Sequence, residues 1–238
     1  MIVNLKYRVG LEQVGRENLI TNKALLIMLE DIAGYHSSNT GTALSDIGKT
    51  GMAWVLLNWK MKVIKRPKFG DEVIVSTWSS DYDKISALRD FEIRSETGEL
   101  LVICTSRWIL MDINKRRPIR VTDEIIEPYE TEKGRRVFDS EIEKISIPES
   151  DYISNNYEIL RRDMDYLGHM HNISYLEIAY DTMPEEVYKG PEFNEISIEY
   201  RKEISEKTIV TTHFYKADNG CIITINTDKT NAVISLTY

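Results

Sequence analysis

One order of elements occurs twice along this chain, and it limits the fold more than any single motif does. Each half opens with a strand, continues through a helix and closes with a run of strands. In the first half Asn4–Val9 reads as the opening strand. Asn18 or Thr21 can cap a helix whose apolar residues are Ala24, Leu25, Leu26, Met28, Leu29, Ile32 and Ala33, with Gly34 as its expected stop. Strands are expected at Ala53–Ile64, Glu72–Ser80, Ala87–Arg94 and Leu100–Asp112, broken by Pro67 with Gly70, by Asp81–Lys84 and by Thr97-Gly98. The second half repeats this with an opening strand at Tyr157–Arg162 and a helix at Ile173–Thr182. Its strands are expected at Glu195–Lys202, Thr208–Lys216, Cys221–Thr227 and Ala232–Tyr238, with a hairpin turn at Asp218-Asn219-Gly220.

A helix followed by several antiparallel strands forms one core if the sheet wraps around the helix. The expected fold class is therefore α+β, as two tandem units that each fold an antiparallel sheet around a central helix. The expected division is a first domain at 1–128, a polar linker at 129–136 and a second domain at 137–238. Pairing two such sheets edge to edge would also protect their exposed edges. A single α+β domain with an insertion is the other arrangement, and it leaves the repeated order unexplained.

Length and composition agree with this reading. The 238 residues suffice for two domains, and 42% hydrophobic with 29% charged residues is ordinary for a globular chain. A formal net charge of −8 argues against a nucleic-acid partner, which calls for a basic excess. The start, MIVNLKYRVG, lacks the apolar core of a signal peptide, and the richest apolar run, Ala24–Met28, is far shorter than the ~20 residues needed to cross a bilayer. A cytoplasmic location without a membrane partner is the expectation; an organelle stays open if a transit segment has been removed. Cys104 and Cys221 stand in strand-like contexts outside any CxxC and read as small buried hydrophobes in a reducing compartment.

The stretch richest in chemistry is Arg161–Glu177, RRDMDYLGHMHNISYLE. Asp163 and Asp165 precede Gly168-His169, and a helix begins near Asn172. A carboxylate and an imidazole on a turn feeding a helix N-terminus suit attack on a carbonyl, because first-turn N–H groups and the helix dipole can stabilise an oxyanion. Gly168 would let the backbone approach a substrate without a side chain in the way. On spacing alone, a capping loop with a solvated histidine explains the same residues equally well.

This segment resembles the hot-dog thioesterase pattern Asp-x-x-Gly-His-x-x-Asn-x-x-Tyr, matched by Asp165, Gly168, His169, Asn172 and Tyr175. With TNKALLIMLEDIAGYH, MAWVLLNWKMKVIKRPKFGDEVIVSTW, RDFEIRSETGELLVICTSRWILMDINKRRP, DEIIEPY and IEYRKEI in the same order, nearly the whole chain resembles the acyl-acyl-carrier-protein thioesterase family of plants and bacteria. The resemblance implies a tandem double hot-dog fold and hydrolysis of fatty acyl-acyl carrier protein to free fatty acid. It also implies an acyl-chain pocket in the first domain and catalytic residues in the second. The family's Asp-x-Asn-x-His pattern with a later Glu is matched by Asp165, His169 and Glu203, the last within Glu199-Tyr200-Arg201-Lys202-Glu203. Leu167 stands at the Asn position, and Ile204 stands where some plant members have Cys. Gly168 and Asn172 are the implied oxyanion and substrate contacts. An acyl-coenzyme A hydrolase and a non-catalytic acyl-binding module are the alternatives, the second because of Leu167.

Direct attack by water, with Glu203 or Asp165 as base and His169 positioning the water, is the expected mechanism; covalent attack by Asp165 is the variant. No cofactor and no metal site are expected, His169-x-His171 being too small a ligand set. His36 is expected at the surface or at a helix cap, and His213 as a packed or exposed strand residue. The partner implied is acyl carrier protein. Local basic clusters (Lys60–Arg66, Lys115-Arg116-Arg117, Arg135-Arg136 and Arg201-Lys202) would receive this acidic protein despite the net charge. Either a monomer or a homodimer is compatible with two internal units.

Overall fold

Thr21 starts the longest helix because its hydroxyl accepts the Ala24 N–H at 3.2 Å, satisfying one of the first-turn donors left without a partner. The computed structural model, which describes residues 1–42 and 44–238, places this helix, α1, at Asn22–Ser38. Gly34 does not stop it. The helix runs one further turn because His36 is fully buried and anchored, and the chain is capped at Asn39 by the carbonyls of His36 and Ser37. The remaining helices are short turns at Ile47–Thr50 (α2), Asp123–Ile126 (α3) and Glu185–Tyr188 (α5), with the second main helix, α4, at Asn172–Thr182.

The strands are β1 Val3–Arg8, β2 Met52–Val63, β3 Glu72–Tyr82, β4 Ser86–Ser95, β5 Leu100–Asp112, β6 Arg117–Pro118, β7 Ile153–Glu158, β8 Glu195–Tyr200, β9 Ile209–Ala217, β10 Gly220–Asn226 and β11 Thr230–Thr237. They form antiparallel sheet with few helices. The chain divides into two compact units, Met1–Leu57 with Met61–Ile142 and Asn58–Lys60 with Glu143–Tyr238. In the first, the strand order is β1-β3-β4-β5-β2; in the second it is β7-β9-β10-β11-β8. Strand by strand these orders are equivalent.

The second opening strand lies earlier than the expected Tyr157–Arg162. Asp163 Oδ2 accepts the Leu160 N–H at 2.7 Å, and Arg161–Asp163 close into a 3₁₀ turn instead of extending the strand. The turn at Asp218-Asn219 joins β9 to β10. Gly220 is required there, since a Cβ would stand 2.0 Å from the Leu236 carbonyl oxygen.

In the first unit α1 buries Ala24, Leu25, Leu26, Met28, Leu29, Ile32 and Ala33, and the sheet buries Val73, Val75, Phe91, Ile93 and Val102. In the second, α4 buries Ile173, Tyr175, Leu176, Ile178 and Ala179, and the sheet buries Ile196, Ile198, Val210, Ile223, Ile225 and Val233. Each fully buried aliphatic side chain contributes about 1.5–3 kcal/mol, so these cores, rather than helix propensity, hold the helices.

Two polar features depart from expectation. His36 is buried, not superficial: its Nδ1 lies 2.8 Å from Arg89 Nη1, and its ring is 5.1 Å from that of Tyr129. Because the guanidinium can only donate, Nδ1 is the acceptor and the ring is neutral. Burial, reinforced by the Arg89 charge, pushes its pKa down to about 3. Residues 129–136, expected as a linker, pack into the first unit. Tyr129 is buried, Trp78 Nε1 donates to the Arg135 carbonyl at 2.8 Å, and Arg136 Nε lies 3.2 Å from the fully buried Asp90 carboxylate. A buried carboxylate without a cation is costly, so Arg136 ties this polar segment down. The division between units falls after Ile142.

Candidate active site

Asp165, His169 and Glu203 come together in the second unit, on the loop before α4 and the segment after β8, which backbone hydrogen bonds hold together. Met164 and Met170 pair across the loop, and the Asp165 N–H donates to the His169 carbonyl at 2.7 Å. The Met170 N–H donates to the Ile204 carbonyl at 2.7 Å, fastening the loop to the segment that carries Glu203. As a result His169 Nε2 stands 3.7 Å from Glu203 Oε2, with the two side chains 37% and 57% exposed, so both reach solvent and an incoming ligand. Asp165 Oδ1 accepts the N–H groups of Leu167 at 2.8 Å and His169 at 2.9 Å. One oxygen of Asp165 therefore braces the loop. Leu167, at the position where an Asn was implied, serves that brace through its backbone while its side chain is exposed.

The same hydrogen bonds restrict where an oxyanion could be held. The Gly168 N–H points to the Asp165 carbonyl at 3.1 Å and the His171 N–H to the Asp163 carbonyl at 2.8 Å. Ile173 N–H donates to His171 Nδ1 at 3.3 Å, and Ser174 N–H to the His171 carbonyl at 2.9 Å. Gly168, expected as a donor, is thus withdrawn from that role. Its contribution is a φ of 82°, a left-handed turn that other residues adopt only under strain, with open space where a Cβ would be. From Leu167 to Ser174, the Asn172 N–H alone has no acceptor among the described residues. It lies at the positive end of α4.

Sequence reasoning missed how two tyrosines are set behind this site. Tyr200 Oη donates to the Asn172 carbonyl at 2.9 Å, and its ring meets Tyr175 edge-on with centroids 5.4 Å apart. Burial raises the Tyr175 phenol well above its usual pKa, and the Glu203 charge adds to this, while the Ile204 amide against its oxygen works the other way. Tyr175 was legible as part of a motif; nothing in the spacing pointed to Tyr200.

The first unit supplies an internal control, because it repeats the loop without the chemistry. Gly10 N–H donates to Gln13 Oε1 as Leu160 N–H does to Asp163, and Thr21 N–H donates to the Gln13 carbonyl as His171 N–H does to that of Asp163. Gly15 N–H reaches the Leu19 carbonyl, and Ile20 N–H the Pro67 carbonyl, matching Asp165 with His169 and Met170 with Ile204. Gly15, Leu19 and Arg66 therefore stand where the second unit has Asp165, His169 and Glu203. Arg66 lies against its own helix start, donating to the Ile20 carbonyl at 3.0 Å and to Asn22 Oδ1 at 2.9 Å. The backbone frame belongs to the fold; the carboxylates and imidazole belong to the second unit alone.

Most of the basic clusters are engaged locally. Lys65 pairs with Glu99, Arg201 with Glu199 and Lys202 with Asp228, each at 2.8 Å, and Arg135 covers Trp78 at 4.5 Å. Among the described residues Arg116, Arg117 and Arg120 form no ion pair, and all three are exposed. His213 stacks on Tyr152 at 4.1 Å, a packing role, and Cys104 and Cys221 are buried free thiols.

Comparison with known proteins shows the family. The profile of the acyl-ACP thioesterase N-terminal domain matches residues 2–129, and that of the acyl-ACP thioesterase C-terminal domain matches residues 147–237. The chain is similar to the chloroplastic oleoyl-acyl carrier protein thioesterase 2 of Arabidopsis thaliana, 27% identical over 222 residues, covering 86% of this chain and 60% of that protein. It is 25% identical over 210 residues to the chloroplastic palmitoyl-acyl carrier protein thioesterase of Cuphea hookeriana, covering 83% and 51%. The chain thus spans between about half and three-fifths of the length of these curated relatives. Among solved structures it is similar to the 12:0-ACP thioesterase from Umbellularia californica, with a TM-score of 0.85 at 20% identity over 99% of this chain and 96% of that one. An acyl-ACP thioesterase from Bacteroides thetaiotaomicron gives 0.87 at 18% identity, over 99% and 97%. At such identities the structural likeness is one of fold. With both domain profiles matched in order along nearly its whole length, this chain belongs to the acyl-ACP thioesterase family.

Proposed function

We propose that the chain is a thioesterase that hydrolyses fatty acyl-acyl carrier protein, releasing the free fatty acid and the carrier. The observation that carries this reading is the meeting of His169 and Glu203 at 3.7 Å beside the Asp165 loop, in the one unit of the two that holds such groups. Each unit is read as a hot-dog fold, the first housing the acyl chain and the second the chemistry. The names of the relatives, which act on oleoyl and palmitoyl carrier thioesters, support the substrate class.

In this mechanism Glu203, with His169 beside it, takes a proton from a water molecule, and the resulting hydroxide attacks the thioester carbonyl carbon. The carbonyl electrons move to oxygen, where the Asn172 N–H and the end of the α4 dipole stabilise the charge. Collapse restores the carbonyl and breaks the C–S bond, and the thiolate takes the proton from Glu203. Asp165 holds His169 in place through its loop bonds, which favours water attack over a covalent anhydride at Asp165.

The exposed group Arg116, Arg117 and Arg120, with Lys115, is the proposed receiving surface for the acidic carrier protein. A cytoplasmic location is proposed for the chain; no helix among the described residues is long and apolar enough to cross a membrane. The test is steady-state turnover of one acyl group on carrier protein and on coenzyme A, by the native chain and by Glu203→Gln. The carrier thioester should be turned over faster, with kcat for Glu203→Gln lower by about 10²-fold or more. Turnover of neither substrate by the native chain, or full activity of the variant, would end this assignment.

A further inference from the structure

We propose that Tyr200 is a positioning residue for this chemistry, its phenol holding the helix residue whose N–H receives the thioester oxygen. The inference rests on the hydrolytic reading above. Tyr200 closes β8, the strand that leads directly to Glu203, and its Oη donates to the Asn172 carbonyl at 2.9 Å. One bond therefore couples the end of the strand that precedes the base to the first residue of α4, which bears the oxyanion donor. That carbonyl, at the start of a helix, already has a ladder partner one turn on, so the phenol is not needed to satisfy it. The Tyr200 ring is held in turn by its edge-on contact with Tyr175, at 74° between planes, and Tyr175 is buried against the Glu203–Ile204 backbone.

The first unit shows what this arrangement is not for. Val63 closes β2 where Tyr200 closes β8, and Leu25 occupies the α1 position that Tyr175 occupies on α4. There the loop frame and a 17-residue helix form without either phenol. Both tyrosines accompany Asp165, His169 and Glu203, which is expected of groups that serve the reaction and not of groups that serve the loop.

Tyr200→Phe removes the O–H and keeps the ring against Tyr175. With an acyl-carrier substrate kcat should fall about ten-fold with KM unchanged, the loss expected for a donor held off its best geometry. The discriminating measurement is the same change in an Asn172→Pro background, which lacks the N–H being positioned. There Tyr200→Phe should have no further effect on kcat, whereas a merely structural role would repeat its full loss. An unchanged kcat, an effect confined to KM, or a repeated loss in the double variant overturns the positioning role. If Asn172→Pro by itself leaves kcat unchanged, the oxyanion assignment falls and this inference falls with it. Should Tyr200→Phe fail to fold, 3-fluorotyrosine at position 200 keeps the packing and lowers the phenol pKa. The resulting change in kcat should then vanish in the Asn172→Pro background, and an equal change in both backgrounds refutes the proposal.

Discussion

Asn172 offers a way to remove one hydrogen-bond donor from the site while leaving the helix intact. It is the first residue of α4, a position where proline is favoured because the N–H has no ladder partner. The residue before it, His171, has φ −61° and ψ 136°, the extended conformation that a following proline demands. Asn172→Pro should therefore fold, keep the Tyr200 bond to the carbonyl, and delete only the N–H and the side-chain amide. Loss of one oxyanion donor costs about 10²–10³ in kcat, or about 2.7–4 kcal/mol. The lower end is expected here, because the Ile173 N–H is held by a long 3.3 Å bond to His171 Nδ1 and can turn towards the substrate. The predicted loss is about 10²-fold in kcat with KM within about two-fold. Asn172→Ala, which keeps the N–H, should stay within about three-fold of native. The assay is single-turnover hydrolysis of an acyl-carrier thioester, with far-ultraviolet circular dichroism to establish that helix content is retained. Equal losses in the two variants would assign the effect to the side chain, and native kcat in a folded Asn172→Pro protein would refute the reasoning.

Gly34 sits exposed inside α1 with nothing within 4 Å of an added Cβ, so Gly34→Ala should stabilise the chain by about 0.5–1 kcal/mol and raise Tm by a few degrees; a lower Tm would contradict this. His36 has its pKa lowered to about 3 by burial and by Arg89, so unfolding takes up a proton between that value and the ordinary ~6.5. Its contribution is full above about pH 6.5 and is lost as pH falls towards 3, amounting to a few kcal/mol in order of magnitude; His36→Gln should flatten that part of a urea-denaturation pH series, and an unchanged slope would remove His36 as its source. Reversing Arg116 and Arg117 to Glu should raise KM for a carrier-linked substrate several-fold, most at low salt, and leave a short thioester lacking the carrier unaffected. Equal effects on both substrates would take that turn out of the receiving surface.

Local rules made much of this protein legible in one dimension. The repeated strand–helix–strands order, β5 to its exact ends at Leu100–Asp112, the Thr21 cap and the turn at Asp218-Asn219-Gly220 all follow from interactions among near neighbours. The Asp165–Asn172 loop was visible for the same reason, since its residues lie within two turns of one another, and Glu203 was added by family resemblance. Contacts distant in sequence were invisible. Gly34 reads as a helix stop until Arg89, from β4, is seen to hold His36 two residues further on. The stretch 129–136 reads as a linker until Arg136 is seen beside the buried Asp90. Which amides are already committed, and that Tyr200 reaches the start of α4, depend on where folding sets one backbone against another. Sequence alone thus determined most of the elements and the candidate side chains of the Asp165–Asn172 loop, because propensity, capping and turn chemistry act over a few residues. Only the tertiary structure decided which amide of that loop was left without an acceptor, because hydrogen-bond satisfaction is settled in space by partners that the order of residues does not bring together.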